Sequence, residues 1–259
     1  MQRIREVKIR GCCLGTYSSK ICVPLLAHEL PELLFEAQKI KESAPDLIEW
    51  RADYFAAQNP AELVAVAEKL RAVIDEVPLI FTYRDYSEGG FAEVSLSRRS
   101  ALIAAVLASG LVDLFDLELQ TNPQARQELM QAARENKVGV ILSYHDFQQT
   151  PSNEIIINIL KAQQEAGADL AKIAVMPQVK QDVLRFMETI HHFNTNYADI
   201  PVVAVSMSQL GMVSRLAGSL FGSAITFAVN GKESAPGQIP IKTLRPVLEV
   251  MSPPGKFLD

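Results

Sequence analysis

Eight short apolar runs, separated by longer amphipathic segments, constrain the fold of this chain more than any other feature. The runs are rich in Val, Ile and Leu, as buried strands are, and the segments between them have the apolar spacing of helices. Strands are predicted at 21–26, 46–51, 78–84, 111–119, 137–145, 170–176, 200–207 and 223–229. Strands that alternate with helices in this way form parallel βαβ units.

The intervening segments complete an eightfold pattern. The first two open with Pro31 and Pro60, and proline is favoured in the first turn of a helix. Helices are predicted at 31–44, 60–77, 97–109, 122–136, 152–166, 178–194, 214–221 and 242–250. Eight βα units in about 250 residues predict an α/β fold of the (β/α)8 TIM barrel type. A doubly wound sheet is less favoured, because it usually has fewer strands and no glycine fingerprint follows the first strand.

The two ends of the chain lie outside this pattern. Residues 5–18, REVKIRGCCLGTYS, are predicted to form a hairpin that closes the bottom of the barrel. With 259 residues, 48% of them hydrophobic, the chain can bury one large core. We therefore expect residues 1–259 to be a single catalytic domain, with its core at about 20–250 and a proline-containing tail or linker at 251–259.

Charge and cysteine content narrow the class of protein. The net charge is -5, with 25 basic and 30 acidic residues and no basic stripe of the kind that binds nucleic acid. No apolar run approaches the ~18 residues of a membrane span, and the N-terminus lacks an apolar signal core. Three cysteines, two of them adjacent, favour a reducing, cytoplasmic location over a disulfide framework. The cysteines and four histidines have no metal-ligand spacing, so we expect neither metal nor cofactor.

Polar residues concentrate where the predicted strands end. In such barrels the active site lies at the C-terminal ends of the strands. The residues predicted there are Glu49, Arg51, Asp53, Arg84, Glu88, His145, Lys172, Arg215, Ser234 and Gln238. Each alone has an ordinary structural explanation, such as an ion pair, a turn or a surface loop. Their concentration at one end of the predicted barrel indicates a functional site.

Lys172 lies inside an otherwise apolar strand, DLAKIAVM, although lysine is rarely buried without a partner. A buried amine loses its charge more easily, and a neutral lysine attacks carbonyls to give an imine. The protonated imine withdraws electrons and acidifies the neighbouring C–H bond. His145, on the adjacent predicted strand, is the candidate base, because the ordinary pKa of imidazole lies near neutral pH. Glu88 is predicted to orient the imidazole.

Six segments resemble the type I 3-dehydroquinate dehydratase family, in the family's order and from about residue 20 to 250. They are EWRADYF (49–55), TYRDYSEGG (82–90), ILSYHDF (141–147), AKIAVMPQ (171–178), MSQLGMVSRLAGSLFGSAITFA (207–228) and SAPGQIPI (234–241). The resemblance implies a barrel enzyme that converts 3-dehydroquinate to 3-dehydroshikimate in aromatic amino acid biosynthesis, needs no cofactor and is often a homodimer.

The same resemblance implies a role for each residue. Lys172 would form the imine, His145 would act first as base and then as acid, and Glu88 would be its partner. Arg215 would bind the substrate carboxylate, and Ser234 and Gln238 would close over it from a mobile loop. The hydroxyl side of the substrate would be lined by Glu49, Arg51 and Arg84, and its ring would pack against Met207 and Phe227.

Two alternatives are kept beside this interpretation. A class I aldolase barrel would share the lysine, but it often needs a phosphate pocket and does not need the His–Glu pair. A barrel that only binds would use Lys172 as a structural ion-pair member and would give no covalent adduct.

Overall fold

Strands and helices alternate along the computed structural model of the chain, which describes residues 4–16, 18–57, 59–231 and 233–251. The strands are β1 (Val7–Ile9), β2 (Cys12–Leu14), β3 (Lys20–Leu25), β4 (Leu47–Arg51), β5 (Leu79–Thr82), β6 (Leu114–Glu118), β7 (Gly139–Asp146), β8 (Leu170–Val175), β9 (Val202–Ser206), β10 (Ile225–Val229) and β11 (Ile239–Pro240). The helices are α1 (Leu30–Glu42), α2 (Pro60–Ile74), α3 (Leu96–Ala108), α4 (Pro123–Glu135), α5 (Asn153–Glu165), α6 (Lys180–Asn196), α7 (Met212–Leu216), α8 (Gly218–Phe221) and α9 (Ile241–Met251). Short 3-10 helices, Ala52–Tyr54 and Tyr86–Glu88, follow β4 and β5. Beyond Met251, the predicted tail lies outside the described residues.

The strands β3 to β10 form one parallel sheet in chain order, with β10 paired to β3. The remaining gap, between β9 and β10, is closed by a bridge between Val202 and Ser223. There the Ala224 N–H donates to the Val202 carbonyl at 2.7 Å. The Ser223 hydroxyl oxygen accepts from the Ala204 N–H at 3.0 Å. The sheet therefore closes on itself, which confirms the predicted (β/α)8 barrel.

The N-terminal hairpin is also confirmed. Strands β1 and β2 pair antiparallel, with Val7 opposite Leu14. Val7, Ile9, Cys12 and Leu14 pack against a layer inside the barrel to which each strand from β3 to β10 contributes one residue. That layer is Cys22, Leu47, Ile80, Leu114, Ile141, Leu170, Val203 and Ile225. The hairpin thus covers the N-terminal end of the barrel with apolar side chains.

A second layer of inward-facing side chains lies beyond this apolar layer, toward the C-terminal ends of the strands, because side chains on one face of a strand recur every two residues. The residue two positions further along each strand points to the same side. Five of these eight residues are polar, namely Glu49, Thr82, Asp116, Ser143 and Lys172, and the other three are Pro24, Val205 and Phe227. All of them are buried. The alternate strand positions face the helices and form a second apolar core with them, which includes Ile48, Phe81, Phe115, Leu142 and Ile173.

The first two helices begin at or beside the prolines that the sequence indicates. Pro31 and Pro60 lie in the first turns of α1 and α2. The Asn59 side chain caps α2 by accepting from the Glu62 N–H at 3.0 Å, which satisfies one of the amides left open at a helix start. In the described ranges, no helix combines the length and the apolar character needed to cross a membrane.

One local prediction is wrong. The single helix predicted at 214–221 is two short helices, because Ala217 leaves the helical conformation with ψ of 22°. The break brings Gly218 against Ser19, where a Cβ atom would lie 2.6 Å from the Ser19 hydroxyl oxygen. A further short strand, β11, follows the loop after β10 and pairs parallel with β10, with Ile239 opposite Ala228.

Candidate active site

A pocket opens at the C-terminal ends of the barrel strands. It is lined by every residue that the sequence assigned to catalysis or substrate binding: Glu49, Arg51, Arg84, Glu88, His145, Lys172, Met207, Arg215, Phe227, Ser234 and Gln238. Five further residues complete the lining, namely Gly89, Phe147, Ala174, Val205 and Ala235. None of these five residues has a polar side chain, so sequence analysis did not single them out. Asp53, which it did single out, does not line the pocket.

Lys172 lies on β8 in the middle layer of the barrel and is 6% exposed. Its Nζ atom is 2.7 Å from Asp116 Oδ2 and 3.7 Å from Glu49 Oε1. It also lies 4.6 Å from the centre of the Phe227 ring. The two carboxylates offset the cost of burying the ammonium. Lys172 is therefore not the isolated amine that its apolar neighbours in the sequence suggested.

Asp116 and Glu118, both on β6, are the polar residues that sequence analysis missed. Asp116 Oδ1 and Glu118 Oε1 each lie 2.7 Å from a different guanidinium nitrogen of Arg84. Burial alone would raise the pKa of Asp116, but Arg84 and Lys172 hold it far below its ordinary value. A signal was present in LFDLE, because two-residue spacing places both carboxylates on the same face as Leu114.

His145 and Glu88 form a hydrogen-bonded pair. Glu88 Oε2 lies 2.9 Å from His145 Nδ1 and also accepts from the His145 backbone N–H at 2.9 Å. Burial, reinforced by the nearby charges of Arg84 and Lys172, lowers the pKa of His145 well below 6.5. Burial also raises the pKa of Glu88 to about 8. The imidazole is therefore neutral at neutral pH, although its pKa is not in the ordinary range that the sequence led us to expect.

His145 and Lys172 reach the pocket from neighbouring strands. Strands β7 and β8 are paired, and Ser143 lies opposite Lys172 in the register. His145 follows Ser143 by two residues, so its side chain points to the same side of the sheet as that of Lys172. The strand neighbourhood predicted from the sequence is thus present.

Arg51 and Glu49 are held by neighbours on the same side of the barrel. Arg51 donates two hydrogen bonds to Asp53, both at 2.8 Å, and a third to the Gly89 carbonyl at 3.2 Å. Glu49 accepts from the Thr82 hydroxyl at 2.8 Å. Asp53 lies in the 3-10 helix after β4 and fixes the Arg51 guanidinium rather than facing the pocket.

Arg215 is 2% exposed and differs from the other cations of the pocket. It donates to two backbone carbonyls, those of Phe227 at 3.4 Å and Pro236 at 3.2 Å. Its Nε atom has no hydrogen-bond partner, and no carboxylate of the described residues forms an ion pair with it. Burial lowers the pKa of Arg215 to about 10, although the charge of Glu233 acts in the opposite direction. This guanidinium can still bind an anion that enters the pocket.

The loop between β10 and β11 covers the pocket beside Arg215. The Ser234 N–H donates to Gln238 Oε1 at 2.9 Å, and Gln238 Nε2 donates to the Ser234 hydroxyl at 3.0 Å. The Pro236 carbonyl accepts from the Ser208 N–H at 3.1 Å. Gly237 has a φ of 80° and lies so close to Ser208 that a Cβ atom would approach its carbonyl oxygen to 2.2 Å. Only glycine fits this contact.

The donor set of the pocket does not favour a metal. Within the ranges that the structure describes, no group of three or more His, Cys, Asp or Glu side chains is arranged to hold a metal ion. Cations instead occupy the central positions between the carboxylates, as Lys172 does between Asp116 and Glu49.

Comparisons with known proteins agree with this geometry. The family model of type I 3-dehydroquinase matches residues 21–253. A 3-dehydroquinate dehydratase of Bacillus licheniformis is 43% identical over 95% of this chain and 97% of its own length. The type I 3-dehydroquinate dehydratase of Clostridium difficile, solved with covalently modified comenic acid, superposes with a TM-score of 0.93 at 40% identity, over 96% of this chain and 98% of that one. The 3-dehydroquinate dehydratase of Geobacillus kaustophilus gives a TM-score of 0.94 at 35% identity, over 99% of this chain and 100% of that one. The chain therefore belongs to the type I 3-dehydroquinase family, and it is an enzyme of the hydro-lyase class.

Proposed function

We propose that this enzyme converts 3-dehydroquinate to 3-dehydroshikimate and water through an imine between the substrate ketone and Lys172. One pocket brings together a buried lysine, a neutral histidine and an arginine that has no carboxylate partner among the described residues, and this observation carries the proposal. Family membership favours this reaction over the aldolase and binding-only alternatives. The covalently modified ligand of the Clostridium difficile relative is consistent with an active site that forms a covalent bond.

The first step joins the substrate to Lys172. The ammonium loses one proton, and the neutral amine attacks the ketone carbon. The nitrogen then loses a second proton, and the ketone oxygen leaves with both protons as water. The nitrogen keeps one proton and becomes an iminium ion. The iminium withdraws electrons from the neighbouring carbon, so that a C–H bond there becomes acidic. No metal or cofactor is required, because the iminium itself is the electron sink.

His145 is the group proposed to move the proton. Its pKa is lowered by burial, so the ring is neutral and can accept a proton. Glu88 holds Nδ1, which leaves Nε2 as the accepting atom. The protonated ring then donates to the departing hydroxyl, which leaves as water. Hydrolysis of the imine releases the product and restores Lys172.

The remaining residues are proposed to bind and enclose the substrate. Arg215 is suited to the carboxylate, because it is buried without an ion-pair partner among the described residues. Ser234 and Gln238 offer neutral hydrogen-bonding groups from the covering loop. Glu49, Arg51 and Arg84 line the side proposed for the hydroxyl groups, and Met207 and Phe227 supply apolar contacts to the ring.

We also infer the setting of the reaction from the family. The enzyme acts in the shikimate pathway of aromatic amino acid biosynthesis, as a cytoplasmic homodimer in which residues 1–259 form one catalytic domain. The free thiols of Cys12, Cys13 and Cys22 support a reducing compartment. Analytical ultracentrifugation tests the dimer.

Borohydride reduction in the presence of 3-dehydroquinate tests the chemistry. The wild-type enzyme should gain one substrate-derived mass, and peptide mapping should place it on Lys172. Lys172→Ala should give no adduct and no turnover. His145→Ala is the matched control: it should still give the adduct, while kcat falls ~10²–10⁴-fold, the usual contribution of one acid–base group. An adduct on another lysine, or full activity of His145→Ala, would refute the assignment.

A further inference from the structure

Asp116 contacts Lys172 Nζ, the nitrogen proposed to form the imine, from below the pocket. The mechanism proposed above assigns no role to Asp116. Its side chain is 1% exposed. One oxygen, Oδ1, accepts from the Ser143 hydroxyl at 2.7 Å and from Arg84 at 2.7 Å. The other oxygen, Oδ2, lies 2.7 Å from Lys172 Nζ. The first two contacts fix the carboxylate, so that its second oxygen is aimed at the nitrogen.

The charge of that nitrogen is the same before and after imine formation. The ammonium carries one positive charge, and it loses two protons to the ketone oxygen, which departs as water. The iminium nitrogen retains the third proton and the positive charge. A fixed negative charge beside the nitrogen therefore matches both end states, whereas the nitrogen is neutral in the short-lived amine and carbinolamine between them.

We propose that Asp116 is the counter-ion that keeps the imine nitrogen of Lys172 protonated while His145 removes the proton from the adjacent carbon. This role rests on the proposed imine mechanism. An imine that loses its proton is a much weaker electron sink, so the counter-ion governs turnover after the substrate is bound. Asp116 itself takes no proton in this step.

The charges around the nitrogen support a counter-ion rather than a base. Arg84, two residues after the end of β5, contacts the other oxygen of Asp116 and keeps this carboxylate ionised. Glu49, on β4, is a second and more distant anion at 3.7 Å. His145, on β7, is neutral, and the Phe227 ring on β10 adds a weak attraction for a cation at 4.6 Å. The carboxylate in direct contact with the nitrogen is that of Asp116.

Two isosteric variants separate this role from a structural one. Asp116→Asn and Glu118→Gln each remove one carboxylate from Arg84, but only Asp116→Asn removes it from Lys172. A hydrogen bond to a charged group corresponds to ~10–100-fold in rate. Relative to Glu118→Gln, Asp116→Asn should lower kcat by about that factor, with little change in KM. The pH above which kcat declines should also move lower, since the imine then loses its proton more readily.

A third variant is needed in case Asp116→Asn does not fold. Thermal unfolding measurements show whether it does. Glu49→Gln removes the more distant anion and should move the alkaline decline in the same direction by a smaller amount. If folded Asp116→Asn matches Glu118→Gln in kcat and in pH profile, the role of Asp116 is wrong. If Asp116→Asn does not fold, equal profiles of Glu49→Gln and Glu118→Gln overturn it. A wild-type enzyme that gives no borohydride adduct overturns the imine mechanism itself, which is a different result.

Discussion

The two sides of the pocket balance their charges differently. We call Glu49, Arg51, Asp53, Arg84, Asp116 and Glu118, on or after β4 to β6, the paired side. Met207, Arg215, Phe227, Ser234 and Gln238, after β9 or on and after β10, are the unpaired side. On the paired side, each arginine meets at least one carboxylate at 2.7–2.8 Å. On the unpaired side, Arg215 contacts backbone carbonyls at 3.2 and 3.4 Å.

This difference indicates that the paired side chiefly stabilises the fold and that the unpaired side binds the substrate. A buried arginine whose charge is already matched has little attraction left for a ligand, but its removal strands the carboxylates around it. A buried arginine without a carboxylate costs stability in the free protein and gains a partner when an anion binds. We therefore expect the loss of a paired arginine chiefly to lower the free energy of unfolding, and the loss of Arg215 chiefly to weaken substrate binding.

The largest effect is expected from Arg84→Met. The change leaves Asp116 and Glu118 without their shared cation, and breaking a buried ion pair from one side costs ~3–5 kcal/mol. Urea unfolding should show this loss in the free energy of unfolding. Arg215→Met is the matched control and should lose far less, because no carboxylate in the described part of the chain is left without its ion-pair partner. Equal losses in the two variants would mean that the two sides do not differ.

The next effect is expected from Arg215→Met on substrate binding. Losing a charged hydrogen bond to the substrate carboxylate costs ~1.5–3 kcal/mol, so KM for 3-dehydroquinate should rise by about 10–150-fold. Steady-state kinetics measure this rise, and Arg215→Lys should recover part of it because the positive charge returns. An unchanged KM in Arg215→Met would place the carboxylate elsewhere.

A smaller effect is expected on the pH dependence of stability, through Glu88. Whereas the pKa of Asp116 is lowered, that of the Glu88 carboxyl group is raised. Because its folded pKa of about 8 lies above the ordinary 4.5, the folded state holds a proton that the unfolded chain releases. Stability should therefore fall as pH rises from 4.5 to 8. Below 6.5 the lowered pKa of His145 acts in the opposite sense, since the unfolded imidazole is then protonated.

The pH range from 6.5 to 8 isolates the effect of Glu88. There Glu88→Gln, which carries no titratable proton, should gain stability relative to the wild type as the pH rises. Urea unfolding at pH 6.5 and pH 8 measures the difference. A stability gap that stays constant over this range would show that the Glu88 carboxyl does not retain its proton.

The smallest effect is expected from Gln238→Ala in the covering loop. One neutral hydrogen bond is worth ~0.5–1.5 kcal/mol, so KM should rise only about 2–12-fold while the fold and kcat stay the same. Limited proteolysis tests the closure of the loop: cleavage within 231–241 should slow after borohydride trapping of the substrate. Equal cleavage of the free and trapped enzyme, with unchanged kinetics, would make the loop a passive connection.

Much of this site could be predicted from the sequence because strand ends are local features. The alternation of apolar runs and helices placed Arg84, His145 and Lys172 at one end of a barrel without any knowledge of their contacts. Proline and glycine in NGKESAPGQIPI marked the loop after β10, although not the short pairing of Ile239. Lys172 was conspicuous because a charge inside an apolar strand needs an explanation.

What the sequence determined by itself was therefore the fold, the end of the barrel that carries the site, and the side chains that reach it, since all of these follow from the period and polarity of single segments. Which charges are matched was decided only by the tertiary structure. Asp116 is 56 residues from Lys172 and Arg84 is 59 residues from Ser143, yet they meet inside the barrel. Electrostatic energy depends on distance in space and on burial. For that reason Arg84 and Arg215, both arginines predicted near strand ends, have different partners in the folded enzyme: Arg84 contacts two carboxylates and Arg215 contacts two backbone carbonyls.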